Sequence, residues 1–277
     1  MNHYLKITIS CNSELHDILI AELSQLNFDS FQENEETLDA FVLEDLYDEK
    51  IILPILKKYG ISHKIIVEKQ KNINWNKEWE KNFDPVFVDE KVQIRATFHK
   101  PQPNYKYDVI INPKMAFGTG HHETTQLVVA EQLNIDHENK SILDVGTGTG
   151  VLAILAYKLG AKSITATDVD DWCIDNSRDN LELNKVRNYK ILQGTIDKLT
   201  LPGSYNIIYA NINKNVLMSE IPLYSSLMNE HGILVLSGFY MEDMDDLKKM
   251  AFQNGLEHKH IKTLNSWAMM HFYKAKS

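Results

Sequence analysis

Eight residues, Leu143-Asp144-Val145-Gly146-Thr147-Gly148-Thr149-Gly150, constrain the fold of this chain more than any other stretch. The apolar run at 141–145 reads as a buried strand and residues 151–159 as a helix, so the alternate glycines form a strand-to-helix turn. Glycine serves where the chain turns tightly and where backbone N–H groups must approach a ligand that a Cβ would exclude. The turn also opens a helix, whose first N–H groups have no internal partner. The next strand, predicted at 163–167, runs into Asp168, 22 positions after Gly146. At the carboxyl edge of a neighbouring strand, such a carboxylate accepts hydrogen bonds from both hydroxyls of a ribose.

The same rhythm continues to the end of the chain. Strands are predicted at 189–192, 206–210 and 232–236, helices at 171–183, 216–227 and 241–254, and two strand-like tails at 259–264 and 268–273. Several of these strands are short continuous apolar runs, the pattern of strands covered by helices on both faces. The expected architecture is a doubly wound α/β sheet. Upstream, strands at 92–96 and 107–111 precede a loop at 112–120 and a helix at 123–133.

Residues 1–70 read as a separate small domain. Leu5, Ile7 and Ile9 alternate as a half-buried strand, and Asn12-Ser13 precede a helix whose apolar face comprises Leu15, Ile18, Leu19, Leu23 and Leu26. Strands at 28–32 and 37–42, a helix at 46–59 and a strand at 63–68 complete a β-α-β-β-α-β order, that of a ferredoxin-like α+β domain. Residues 71–90 read as a connector, with Trp75 and Trp79 one helical turn apart, docking it on a domain, and Asp84-Pro85 ending any helix. Residues 91–277 form the remaining domain.

Composition narrows the ligand. The net charge of −9 argues against a nucleic-acid backbone as the main ligand, and two cysteines are too few for a disulfide framework. No run reaches the length of a membrane helix, and Met1–Leu5 leads into a strand without a secretory signal, so a cytoplasmic protein is expected. The glycine spacing departs from G-x-G-x-x-G, because the third glycine comes one residue early. The P-loop lysine is missing. Asp144, before the first glycine, suits a ligand with positive charge near the loop. A sulfonium bearing an amino-acid ammonium meets that description, and a pyrophosphate does not. The predicted cofactor is S-adenosyl-L-methionine, with no metal. His121-His122-Glu123 lacks the i, i+4 spacing of a helical zinc site and reads as a solvated loop. Trp267, Met269 and Met270 read as core under the sheet.

With these features in place, the chain resembles the class I S-adenosylmethionine-dependent methyltransferases, and within them the ribosomal protein L-eleven methyltransferase family (PrmA-like). The resemblance extends over nearly all of the chain. It is carried by Ala116-Phe117-Gly118-Thr119-Gly120-His121-His122-Glu123-Thr124-Thr125, by the Trp-x-x-x-Trp of the connector, by Asp168-Val169-Asp170 and by Ala210-Asn211-Ile212-Asn213. It implies a seven-stranded Rossmann-like sheet behind the ferredoxin-like domain. It further implies that Thr125, Gly146, Asp168 and Asn211 contact the cofactor, with the loop Phe117, Gly118, Thr119 and Gly120 lying over the methyl-donor pocket; the reading of the glycine turn adds Gly148 and Asp144 to the expected cofactor contacts. Asn211 and Phe117 are the expected catalytic positions, orienting an amine for in-line displacement without a dedicated base. The implied acceptors are lysines and the terminal amine of a basic ribosomal protein, held by residues 1–70. Two departures from the family pattern stand out. Glu123 replaces a common proline, which could loosen the lid. Asn213-Lys214 replace a more usual Leu-Ala, which could reshape the acceptor pocket. A methyltransferase acting on another protein, an RNA or a small molecule is the alternative reading. A nicotinamide-dependent oxidoreductase is opposed by the glycine spacing, and a non-catalytic ribosome-binding module by the negative charge and the nucleoside site.

Overall fold

The computed structural model describes residues 4–61, 65–69, 83–112, 117–201 and 203–275, and divides into two compact units, Met1–Phe83 and Asp84–Ser277. In the first, the alternation of Leu5, Ile7 and Ile9 buries one face of strand β1 (Tyr4–Ser10). Asn12 accepts a hydrogen bond from the backbone of Glu14 and starts a single 3₁₀ turn, after which helix α1 runs over His16–Ser24. Leu19 and Leu23 of α1 are fully buried, but Ile18 is 43% exposed, so the predicted apolar face is narrower than its spacing suggested. Strands β2 (Phe28–Glu33) and β3 (Thr37–Leu43) follow. Helix α2 (Glu49–Lys58) starts three residues later than predicted, because Glu44–Leu46 form a separate 3₁₀ turn and Asp48 caps the helix through the amide of Lys50. The described part of the closing strand is β4 (Ile66–Lys69). The antiparallel order β2-β3-β1-β4 with two helices is the ferredoxin-like arrangement.

Trp75 and Trp79 lie outside the described residues. The segment read as connector ends earlier than expected, because strand β5 (Val86–Val88) belongs to the second unit and pairs with β6 (Val92–Ala96). Strand β7 (Tyr107–Ile111) pairs in parallel with β6 and completes a three-stranded sheet. All five residues of β6 are buried. The polar ones are satisfied there: Gln93 exchanges two hydrogen bonds with the backbone of Gln102, and the Arg95 guanidinium donates to both carboxylate oxygens of Asp108 at 2.8 Å.

The rest of the second unit follows the predicted alternation. Helix α3 (Glu123–Gln132) leads to β8 (Ser141–Val145), α4 (Val151–Lys158), β9 (Ser163–Asp168), α5 (Asp171–Leu183) and β10 (Tyr189–Gln193). Then come β11 (Tyr205–Asn211), α6 (Lys214–Leu227), β12 (Met228–Tyr240), α7 (Met244–Gln253), β13 (Leu256–Leu264) and β14 (Trp267–Lys274). The seven strands are ordered β10-β9-β8-β11-β12-β14-β13, with β8 to β12 parallel and β14 antiparallel to both neighbours. This is the doubly wound α/β sheet expected from the sequence. Helix α6 starts two residues early because the Asn213 side chain accepts from the amide of Val216. Strand β12 extends well beyond the predicted 232–236 on both sides.

Two apolar clusters, one on each face, hold the sheet. One joins Ile142, Ile164, Ile207 and Met269 to α3, α4 and the three-stranded sheet, and the other joins Leu143, Ile208, Leu234 and Met270 to α6 and α7. The consecutive methionines of β14 thus serve opposite faces, as strand alternation requires. Trp267 is half-buried: it packs on the first of these clusters, as the sequence reading had it, and it also lines the cavity at the carboxyl edge of the sheet.

Candidate functional site

The carboxyl ends of β8, β9, β10, β11 and β12 open onto one cavity of about 580 Å³ in the second unit. That edge is where doubly wound sheets bind ligands, and the volume suits a ligand of nucleoside size. The glycine turn forms its floor. Gly146, Gly148 and Gly150 have φ of 67°, 54° and 81°, a region that disfavours residues with a Cβ. The neighbours explain two of them further. A Cβ on Gly146 would collide with the side chain of Ile212, and one on Gly148 with the carbonyl oxygen of Phe117. The missing side chains therefore make room for other protein segments as well as for a ligand, which the sequence reading did not foresee. Thr149 locks this contact, donating its backbone N–H to the Phe117 carbonyl at 2.9 Å and its hydroxyl to the Gly118 carbonyl at 2.6 Å.

Asp168 ends β9 in the cavity wall, half-buried. Its Oδ2 accepts from the amide of Gly148 at 2.9 Å and its Oδ1 from the amide of Asp170 at 3.2 Å. A carboxylate has about four acceptor positions, so after these two bonds and the one donated by the Cys173 thiol, acceptor capacity remains. The side chain both braces the glycine turn and keeps an acceptor that a ribose hydroxyl can use.

Asn211, at the end of β11, lies across the cavity floor from Asp168. Its Nδ2 is 3.5 Å from Oγ1 of Thr125, a fully buried residue in the first turn of α3. Its Oδ1 is buried without a hydrogen-bond partner among the described residues. Buried amide oxygens are nearly always paired, so this one marks a place for an N–H or O–H donor that comes with a ligand. The first turn of α3 is fixed by His122, whose Nδ1 accepts from the amide of Thr124. The His122 ring packs edge-on against Trp267 at 4.7 Å, and Trp267 stacks on Tyr240 at 4.1 Å. With Phe117, 5.6 Å from His122 and 66% exposed, these rings give the cavity an aromatic side.

Five of the residues singled out in the sequence sit differently from the expectation. Asp144 is fully buried behind the turn and does not line the cavity. Its Oδ2 accepts from the Thr147 hydroxyl at 2.7 Å, and its Oδ1 has no partner at hydrogen-bond distance, although the nearby amide of Ala153 favours the charged form. Burial raises its carboxyl to about 7 despite those contacts. Thr119 and Gly120 also lie outside the wall, Thr119 bonding His121 and Gly120 packing on Ile94. Glu123 does not loosen the segment: its carboxylate accepts from the Asn265 side chain at 2.8 Å and ties α3 to the β13–β14 turn. In the Asn213-Lys214 pair only Asn213 lines the cavity, because Lys214 is held outside by Asp243 and Asp246, both at 2.8 Å.

Several wall residues were not read as site residues from the sequence: His122, taken as part of a solvated loop, Trp267, taken as core, and Thr195, Ile196 and Glu220, which carry no signal there. The doubly wound topology could have found Thr195 and Ile196, since every loop at a strand's carboxyl end faces the same crevice. Cys173 also lines the wall, but burial and the neighbouring Asp168 push its thiol up to about 11, so it supplies no thiolate nucleophile.

Comparison with known proteins agrees with this geometry. The profile of the family described as Ribosomal protein L11 methyltransferase (PrmA) matches residues 4–275. The chain is 38% identical over 276 residues to a ribosomal protein L11 methyltransferase of Phocaeicola vulgatus, covering 97% of this chain and 98% of the relative. It is 41% identical over 261 residues to one from Porphyromonas gingivalis, covering 93% and 90%. Among solved structures, the ribosomal protein L11 methylase of Lactobacillus delbrueckii subsp. bulgaricus superposes with a TM-score of 0.64 at 25% identity, over 70% of this chain and 99% of that one. With the family profile matching residues 4–275 and relatives 38% and 41% identical over more than nine-tenths of the chain, one assignment follows: the chain belongs to the ribosomal protein L11 methyltransferase family.

Proposed function

We propose that this chain transfers methyl groups from S-adenosyl-L-methionine to lysine and terminal amines of ribosomal protein L11. The observation that carries the reading is the buried, unpartnered Oδ1 of Asn211, set between the glycine turn and the aromatic side of the cavity. It supplies an acceptor for an amine N–H where donor and acceptor must meet. When bound, S-adenosylmethionine supplies a methyl group already activated on a sulfonium. The protein's task is geometric, and alignment of two reactants is worth about 7–11 kcal/mol of the barrier.

The residues divide that task. Asp168 holds the ribose through its remaining acceptor capacity, and the turn at Gly146–Gly148 lets backbone approach the amino-acid end of the donor. Asn211, oriented by Thr125, aims the amine. Phe117, His122 and Trp267 exclude water from one side. An amine nucleophile must be neutral, and removing a proton from a lysine of pKa about 10.4 costs about 4–5 kcal/mol at pH 7. A dry aromatic wall lowers that cost by disfavouring the ammonium. Asp144 stays behind the turn and bears on the donor only through Thr147.

The first unit holds the protein substrate in this reading. Residues 1–83 contain nine lysines and fifteen acidic residues, a balance of −6 out of the chain's −9. Such a surface attracts a basic ribosomal protein. The setting is cytoplasmic, where that substrate is made, and no membrane or nucleic-acid ligand is involved; among the described residues no helix is long and apolar enough to cross a membrane. The test is incubation of the purified enzyme with methyl-labelled donor and recombinant L11, followed by peptide mass spectrometry. Methylated amines in L11 that disappear with Asn211→Ala support the proposal. An unlabelled L11 alongside another labelled protein or RNA from a cell extract overturns the substrate assignment.

A further inference from the structure

The face of the sheet covered by α3 carries a second group of chemically active side chains, none of which lines the cavity. His260 of β13 and His271 of β14 are direct cross-strand partners, with ring centroids 5.1 Å apart. Glu131, in the last turn of α3, reaches down between them and is only 1% exposed. Its Oε1 lies 2.7 Å from Nδ1 of His271 and its Oε2 3.0 Å from Nε2 of His260. The three ligand-type atoms all lie within 4.8 Å of one another. The ammonium of Lys262 is 2.9 Å from the same Oε2, at the end of a side chain 36% exposed.

We propose that Glu131, His260 and His271 form a binding site for a divalent transition-metal ion, zinc by its ligand chemistry, and that the Lys262 ammonium holds the cation position in the metal-free protein. Two imidazole nitrogens and one carboxylate are a recurrent zinc set that leaves a fourth position for water. Zinc bonds of about 2.0–2.2 Å in a tetrahedron place neighbouring ligand atoms roughly 3.3–3.5 Å apart. With one carboxylate oxygen as ligand, that oxygen and the two imidazole nitrogens all lie within 4.8 Å of one another, so the three atoms need to draw together by at most about 1.5 Å, a movement within the reach of side-chain torsions. The cross-strand register fixes both imidazoles on one face, and the buried carboxylate has little freedom to turn away. A hard ion such as Mg²⁺ is disfavoured, since it prefers six oxygen ligands.

Lys262 is the one obstacle. It sits on the outermost strand of the sheet, two residues from His260, and its flexible stem allows the ammonium to move into solvent when a dication arrives. Metal binding would staple α3 to the β13–β14 pair, and α3 is the helix whose first turn carries His122, Thr124 and Thr125 into the cavity wall. The site is therefore a structural one at the far end of that helix, about 9 Å along its axis from Thr125.

The experiment is calorimetric titration of tag-free full-length protein with Zn²⁺, with Mg²⁺ as the comparison. One zinc per chain and no response to Mg²⁺ are expected. His260→Gln, at a half-exposed position that does not threaten the fold, weakens zinc binding at least tenfold, and Lys262→Met, which removes the competing cation, tightens it several-fold. Loading with Co²⁺ gives the intense visible bands of a tetrahedral nitrogen–oxygen site in the wild type and not in His260→Gln. Stoichiometric zinc binding that neither substitution changes places the ion elsewhere and overturns the proposal, as does the absence of stoichiometric binding.

Discussion

Replacing Asp168 separates its two roles. Each oxygen of this carboxylate accepts one backbone N–H, the Cys173 thiol bonds the same group, and the side chain lines the cavity with acceptor capacity to spare. Asp168→Asn keeps an oxygen for the amide of Gly148 but turns an NH₂ toward one ribose hydroxyl and removes the charge. At least one charge-assisted hydrogen bond is lost, worth about 1.5–3 kcal/mol, or roughly 10- to 150-fold in donor affinity. Asp168→Ala loses the charge and every ribose contact of this side chain, at least about 1.5–3 kcal/mol, and leaves the Gly148 amide unpaired, which costs the folded protein about 1–3 kcal/mol as well. Calorimetry with S-adenosylmethionine and with S-adenosylhomocysteine reads the affinities, and urea unfolding reads the stability. Both ligands share the ribose and differ in the charge at sulfur, so the fold-loss should be the same for the two. An asparagine variant that binds both within threefold of the wild type refutes the ribose assignment. A loss confined to the sulfonium shows that Asp168 acts through charge instead.

Three further outcomes are expected. Gly148→Ala forces a Cβ into a residue of φ 54° against the Phe117 carbonyl; the left-handed conformation alone costs about 1–2 kcal/mol, so both the melting temperature and donor affinity should fall. Acid and neutral pH probe different carboxyls. Burial pushes Glu131 up, but hydrogen bonds from His271, His260 and Lys262 outweigh it and hold the carboxyl down at about 2, below the ordinary 4.5. Its contribution, about 3 kcal/mol, is complete above pH 4.5 and is lost as pH falls toward 2. Asp144 has the opposite sign: raised to about 7 from 3.8, it withdraws stability as pH rises across that interval. Urea midpoints measured against pH should therefore flatten below 4.5 in Glu131→Gln and between 4 and 7 in Asp144→Asn, and interchanged windows would show the two assignments to be wrong. Finally, removing residues 1–83 should leave donor affinity unchanged and abolish labelling of L11; labelling at the wild-type rate would remove the substrate-holding role from the first unit.

Local signals carried the second unit's strands and helices well, because continuous apolar runs and a glycine turn are properties of neighbouring residues. The four strands of the first unit were legible for the same reason. In the three-stranded sheet β6 and β7 were legible with their bounds, and only Val86–Val88 was not, since it is too short to show a period. Trp267 was read as core and does pack on it, but its stack with Tyr240 and its place in the cavity wall depend on tertiary neighbours that the sequence does not show. The cluster around Glu131 was invisible in principle. Its members are 129 and 140 positions apart and meet only through the β13–β14 register. The cavity followed a similar division. Asp168 and Asn211 were readable from their places at strand ends, whereas Asp144 was placed in the wall by adjacency alone, and strand alternation buries it.

The bonds from Thr149 to the carbonyls of Phe117 and Gly118 mean that the roof and the cradle behave as a single part. A graft of residues 143–150 onto a foreign Rossmann-like scaffold would arrive with its Phe117 docking groove vacant, and would need that distant dipeptide transplanted too. For the same reason, variation at position 117 or 148 in related chains should be scored jointly, since neither site evolves against an independent background.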